Sequence, residues 1–234
     1  MKILAFESSA KAGSVAAMED GRLVAECYCN TGLTHSQTLM CMAEEVLKKS
    51  SWTVSDLDAV AVAAGPGSFT GVRIGVAAAK GLAWGRELPC YGVSTLESMA
   101  RQLGIFEGYV LPVMDARRAQ VYNALFSVEK GELTRLREDR AISLEDLEKE
   151  VKFLKKPIFL VGDGSILCYN ALKDKLSNLI LPPEHRMHQR AAGVALAAWA
   201  AISQGKSGDA AALTPNYLRL SQAERERLEK EKSL

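Results

Sequence analysis

Two carboxylates stand where chemistry could use them. Glu7 closes the apolar run 3–6, and Asp115 closes the apolar run 110–114. A carboxylate at the end of a buried strand can hold a metal–nucleotide pair, and it can equally cap the adjoining turn. Ser8 and Ser9 follow Glu7 and offer hydroxyls and amides to a phosphate, or to an ordinary turn. The segment Gly65-Pro66-Gly67-Ser68-Phe69-Thr70-Gly71 joins the apolar run 58–64 to a helical one. Amides in such a turn, with the helix dipole behind them, favour an anion, so Gly67 and Ser68 form a candidate cradle. Gly162-Asp163-Gly164-Ser165 repeats the pattern after the run 158–161, which makes Gly162 and Gly164 a second candidate. Neither standard fingerprint is complete. Gly71 is followed by Val72-Arg73 rather than Lys-Ser/Thr, and Thr70 stands where a dinucleotide loop needs glycine. A tight structural turn and a phosphate cradle both fit these residues.

Other reactive types form no centre. His35 opens a helix, and His185 and His188 lie in a proline-bounded loop without nearby ligands. No serine sits in a nucleophile elbow. The five cysteines are unpatterned and fit reduced thiols used as small hydrophobes. No metal site is expected. Twenty-nine basic against 28 acidic residues leave a net charge of +1, which argues against a dedicated nucleic-acid-binding domain. No apolar run is long enough for a membrane span or a secretory leader, so the expected location is the cytoplasm.

The elements that would carry these residues come twice. Runs 3–6, 14–18 and 23–28, with Asp20-Gly21 between the last two, read as a three-strand meander. Thr34 and Gln37 form a capping box for a helix over 34–49. A buried strand over 58–64, a helix to about 84, a strand over 90–93 and a helix over 95–103, capped by Ser94 and Glu97, complete the set. Runs 110–114, 121–128 and 133–136, a helix from Ser143 to about 154, the strand 158–161 and a helix over 191–204 repeat it. The charged stretch 221–234 reads as a solvated terminal helix or tail. The expected division is 1–104, completed by 213–234, and 105–212.

Helix 34–49 has an unusually broad apolar arc. Leu39, Met40, Met42, Ala43, Val46 and Leu47 span roughly 160°, against the ~100° stripe that meets one core. Both core packing and a partner surface fit that width. In the following helix Gly71, Gly75 and Ala79 recur every four residues, and small side chains at that spacing admit another backbone.

Several motifs together resemble the TsaB (YeaZ) family. They are Ile3-Leu4-Ala5-Phe6-Glu7-Ser8-Ser9, the stretch from Gly65 through Gly75, Gly92-Val93-Ser94-Thr95-Leu96-Glu97, Asp115-Ala116-Arg117-Arg118 and Pro215-Asn216-Tyr217-Leu218-Arg219. The likeness covers the whole chain. It implies an α/β protein of two duplicated RNase H-like, actin-like (ASKHA) domains, each a mixed sheet with flanking helices. It also implies a non-catalytic partner of the bacterial tRNA threonylcarbamoyladenosine transferase, working with a TsaD-like catalytic subunit and a TsaE-like ATPase, and meeting tRNA through that complex. A homodimer is implied when the chain is alone. No cofactor of its own is implied, with ATP and magnesium confined to the complex or the partner subunit. Thr95 and Met99 fall where the sister subunit carries a metal-binding histidine pair. Glu7, Ser8, Gly67, Ser68, Asp115, Gly162 and Gly164 then mark a vestigial nucleotide cleft. Leu39, Met40, Met42, Ala43, Val46, Leu47, Gly75 and Ala79 are expected at the interface. The alternative is a small actin-like ATPase or kinase-like enzyme using the same cleft.

Overall fold

The computed structural model describes residues 1–103 and 106–219. An antiparallel meander of β1 (Lys2–Glu7), β2 (Gly13–Glu19) and β3 (Arg22–Cys29) opens the chain. Helix α1 (His35–Lys49), β4 (Ala59–Gly65), α2 (Phe69–Trp84), β5 (Cys90–Ser94) and α3 (Thr95–Gln102) follow. The same order then recurs. A meander of β6 (Gly108–Asp115), β7 (Gln120–Glu129) and β8 (Glu132–Ser143) leads into α4 (Leu144–Val151), β9 (Ile158–Val161), α5 (Ser165–Leu172), β10 (Leu179–Ile180) and α6 (Ala191–Ser203). The strand orders are β3-β2-β1-β4-β5 and β10-β9-β6-β7-β8, so the second sheet copies the first. In each, the central strand runs parallel to the strand that follows the first helix, with Phe6 beside Val62 and Pro112 beside Val161. This is the duplicated actin-like fold expected from the sequence.

Strands β1 and β4 are apolar at nearly every position because both faces are covered. Leu4, Phe6, Val60 and Val62 point into a cluster with α1 and α2. Ile3, Ala5, Ala59, Ala61 and Ala63 point the other way, onto Ala191, Val194, Ala195 and Ala198 of α6. Small residues on both sides let α6 lie close to the sheet. The two sheets exchange helices. Helix α6 follows the second sheet yet packs on the first, whereas α3 follows the first yet packs Leu96, Met99, Ala100 and Leu103 against Val110, Met114, Phe126 and Val128 of the second. The two exchanged helices cross where a Cβ on Gly193 would strike the Ser98 carbonyl. Gly193→Val is therefore expected to force α3 and α6 apart and lower stability by about 1–3 kcal/mol, read as a lower thermal midpoint by circular dichroism.

Local signals held in part. The Ser94 and Ser143 hydroxyls accept from the Glu97 and Asp146 amides and cap their helices as expected. Thr34 does not, because its side chain makes no cap bond and the Gln37 amide donates to the Thr34 carbonyl instead. Strand β8 runs well past the expected 133–136. Its charged residues pair along the edge, with Arg135 bridging Glu97 and Asp139 over the Phe126 ring. Residues 221–234 lie outside the described residues. No helix among the described residues is long and apolar enough to cross a membrane.

Candidate functional site

The ends of β1 and β6 open on one cleft of about 420 Å³ between the two sheets. Ser9, Lys11, Gly67 and Phe69 form one wall, Asp115, Tyr122 and Asp163 the other, and residues 216–219 close the side. Of the predicted residues, Gly67, Ser68 and Asp115 line this cleft, whereas Glu7, Ser8, Gly162 and Gly164 lie behind its surface. The structure also decides what most of them can do.

Glu7 is fully buried. Its Oε1 accepts the Ser9 amide at 2.6 Å, while Oε2 has no partner among the described residues. Burial pushes the carboxyl up to about 7, and the Asp163 charge adds to the shift against the opposing Ser9 bonds. A fully enclosed carboxyl, with burial acting against its charge, is out of reach of a cation in the cleft. Ser8 is also fully buried, and its hydroxyl donates to the Gly71 carbonyl at 2.9 Å. The glycines of the turn are occupied by the chain's own backbone. A Cβ on Gly67 would collide with the Ser9 carbonyl, and one on Gly71 with the Ser8 carbonyl. The Ser68 amide donates to the Ser9 carbonyl at 2.6 Å, and the Ser68 hydroxyl caps α2 by accepting from the Gly71 amide. Between the two readings the sequence left open, the geometry favours the tight structural turn.

The second half repeats this construction. The Gly164 amide donates to the Val113 carbonyl at 3.1 Å, and the Gly162 amide to the Met187 carbonyl at 2.6 Å. A Cβ on Gly162 would strike the Val113 carbonyl. In both halves, therefore, the glycines after the fourth strand press on the end of the first. Asp115 spends its carboxylate locally, accepting from the Arg117 amide at 2.7 Å and the Arg117 guanidinium at 3.2 Å. Asp163 is an exposed residue whose carboxylate nevertheless accepts from the buried Gln189 amide at 3.0 Å. Desolvation, and then the Asp115 charge, hold Asp163 above the usual carboxylate range. No group of three or more His, Cys, Asp or Glu among the described residues could hold a metal ion. Thr95 and Met99 are both buried, Met99 within the apolar cluster under the second sheet.

Sequence reasoning assigned 213–234 to the first half but named none of its residues as part of the cleft. After α6 the chain returns along the first half, where Lys80 Nζ donates to the carbonyls of Ala211 and Leu213 and the Asn216 amide donates to the Ala64 carbonyl. Tyr217 stacks on Phe69 with ring centroids 4.6 Å apart, and Arg73 lies over Phe69 at 3.8 Å while donating to the Tyr217 hydroxyl. Arg219 then donates to the Ala116 and Arg117 carbonyls in the second half. This strap has no periodicity, and the only signal for it was the motif from Pro215 to Arg219.

The expected interface residues need correction. Leu39, Met42, Ala43, Val46 and Leu47 are buried in the chain's own core, in a cluster with Leu4, Phe6, Val62 and Val76. Ala79 joins that cluster, and a Cβ on Gly75 would strike the Ser8 hydroxyl. What Gly71 and Gly75 of α2 admit is the chain's own Ser8, just past the end of β1. Only Met40 is exposed, at 48%. Ala77 and Gly81 are exposed and Ile74 half-buried on the outer side of α2.

The family model described as "TsaD: tRNA N6-adenosine threonylcarbamoyltransferase" matches residues 30–227. The chain is similar to the "tRNA threonylcarbamoyladenosine biosynthesis protein TsaB" of Bacillus subtilis (strain 168), with 32% identity over 99% of this chain and 100% of that one. It is 34% identical to the protein of the same description from Escherichia coli (strain K12), over 94% and 95% of the two chains. Among solved structures, "YeaZ from Pseudomonas aeruginosa" superposes with a TM-score of 0.76 at 25% identity, covering 93% of this chain and 99% of that one.

Proposed function

The chain belongs to the TsaB family of tRNA threonylcarbamoyladenosine biosynthesis proteins, and from that premise we propose that it is the non-catalytic partner and activator of a TsaD-like transferase. The pair works in the cytoplasm with a TsaE-like ATPase on the adenosine beside the anticodon, and the chain pairs with itself when the sister subunit is absent. One observation carries the non-catalytic part: both glycine turns are packed by the chain's own strand ends, and the carboxylate between them is enclosed. The burial of Thr95 and Met99 supports the same reading, since a methionine in an apolar cluster supplies no ligand for a hard or borderline ion. ATP and magnesium then act at the complex or the partner. Docking uses the outward side of α1 and α2, where Met40, Ile74, Ala77 and Gly81 present a small, apolar surface.

The test is reconstitution of tRNA modification with and without this chain. Modification is expected to require it, although the purified chain alone transfers nothing and hydrolyses no ATP. ATP turnover by the isolated chain with magnesium would instead establish the rival ATPase reading, and modification at full rate in its absence would remove the activator role.

A further inference from the structure

We infer that the mouth of the cleft is a direct contact site for an unpaired stretch of RNA, with the Arg117-Arg118 turn gripping phosphates and Tyr217 stacking a base; the inference rests on the tRNA-modification reading above. Arg117, Arg118 and Ala119 have φ of 65°, 57° and 55°, three successive left-handed residues that all carry a Cβ. The hairpin turns β2–β3 and β7–β8 each hold a single such residue, Asp20 or Lys130, followed by a glycine, Gly21 or Gly131, at positive φ. The β6–β7 turn keeps two arginines in that conformation instead. It is held there from several sides. Asp115 accepts the Arg117 amide at 2.7 Å, the Gln120 amide donates to the Arg117 carbonyl at 3.2 Å, and Arg219 donates to the Ala116 and Arg117 carbonyls. The Arg117 side chain stays 83% exposed and Arg118 is exposed beside it.

The opposite lip supplies the second observation. Phe69, Arg73 and Tyr217 form a rigid aromatic–guanidinium stack, and Tyr217 remains 40% exposed. Such a platform stacks any base without reading its edge. Lys11 and Arg219 add positive charge along the same cleft. Among the described lining residues the acids are Asp115, whose pairing with Arg117 an incoming phosphate would exchange for its own, and Asp163, whose carboxylate accepts from Gln189. Charge on the rim, with both glycine turns packed by protein, suits an extended polyanion lying across the mouth better than a mononucleotide seated deep inside.

The experiment measures binding of a fluorescently labelled RNA stem–loop to the full chain, alone and with its sister subunit, across a salt series. R117G/R118G is the decisive variant, because glycine accepts the left-handed turn and the fold should hold or gain stability. Its affinity at about 0.1 M salt is expected to fall roughly tenfold, and its log–log salt slope to shrink by roughly 1.4 for two lost single-strand phosphate contacts. Y217A is expected to weaken binding severalfold with the slope unchanged. Unchanged affinity and slope in R117G/R118G would overturn the inference, as would absence of RNA binding by the wild-type chain in both states. Loss of the sister subunit rather than of RNA would also overturn it, by assigning the turn to a protein partner. Co-purification with the sister subunit reports on the parent reading separately.

Discussion

Glu7→Gln is expected to flatten the pH dependence of this protein's stability between about pH 4.5 and 7 and to make it more stable than the wild type above that range. The sign follows from burial. In the unfolded chain the carboxyl ionises near 4.5, whereas in the folded protein burial lifts it to about 7. Below the lower value both states are protonated and nothing is lost. Between the two values the unfolded state releases its proton first, so stability falls as pH rises. Above about 7 both are ionised, and the folded protein carries the whole cost, roughly 3 kcal/mol for a shift of this size. Glutamine keeps the acceptor for the Ser9 amide and removes the ionisation. Its amide nitrogen meets the same partnerless position as Oε2, which offsets part of the gain by about 1–3 kcal/mol. The slope is therefore the diagnostic quantity. Thermal melts of both proteins from pH 5 to 8 should diverge as pH rises, and parallel curves would show that Glu7 is ionised throughout in the folded state.

The same enclosure bears on function. A carboxylate that served a metal–nucleotide pair would have to be reachable, and Glu7 is fully enclosed, with burial acting against its charge. Its counterpart Asp115 is reachable but committed to the Arg117 turn. The two strand ends have become supports: one anchors β1 against α2 through Ser8 and Ser9, and the other fixes the arginine turn at the cleft mouth.

Much of this architecture was legible because the duplicated unit is punctuated by residues with strong local meaning. Glycine turns follow both fourth strands, a carboxylate ends both first strands, and Asp20-Gly21 and Lys130-Gly131 mark matching hairpins. What the residues could not reveal was direction. Gly71 and Gly75 announced a close approach, but only the fold shows that the approaching residue is Ser8 at the end of β1 rather than another subunit. The broad arc of α1 measured how much surface is covered without saying by what. The helix is covered by the sheet on one side and α2 on the other, so a wide stripe is consumed within one chain. Strand β8 extends beyond the apolar run 133–136 because an edge strand can line up Arg, Glu and Asp residues in pairs, which hydrophobic patterning does not register. The raised carboxyl of Glu7 and the strap over 205–219 depend on long-range burial and have no periodic signature.

Two substitutions two positions apart on α1 should separate core from docking surface. Met42 is 5% exposed and packs in the cluster with Leu39, Val46 and the sheet, so Met42→Glu would lose that packing and bury an unpaired carboxylate. Removing the methionine contacts alone costs about 2–5 kcal/mol, and the unpaired charge adds several more. That sum rivals the roughly 5–15 kcal/mol stability of a typical domain, so the variant should be unfolded or insoluble rather than folded and monomeric. Met40 points outward, and Met40→Lys places a cation four residues before Glu44 on an exposed face. Its effect on stability should stay within about 0.5 kcal/mol. If the outer side of α1 and α2 is the docking surface, the same charge should weaken association about tenfold or more in light scattering, with an unaltered circular dichroism spectrum. A folded Met42→Glu protein with a wild-type melting curve would mean that the apolar arc of α1 is not committed to the core. A Met40→Lys protein that associates normally would move docking to another face of the molecule.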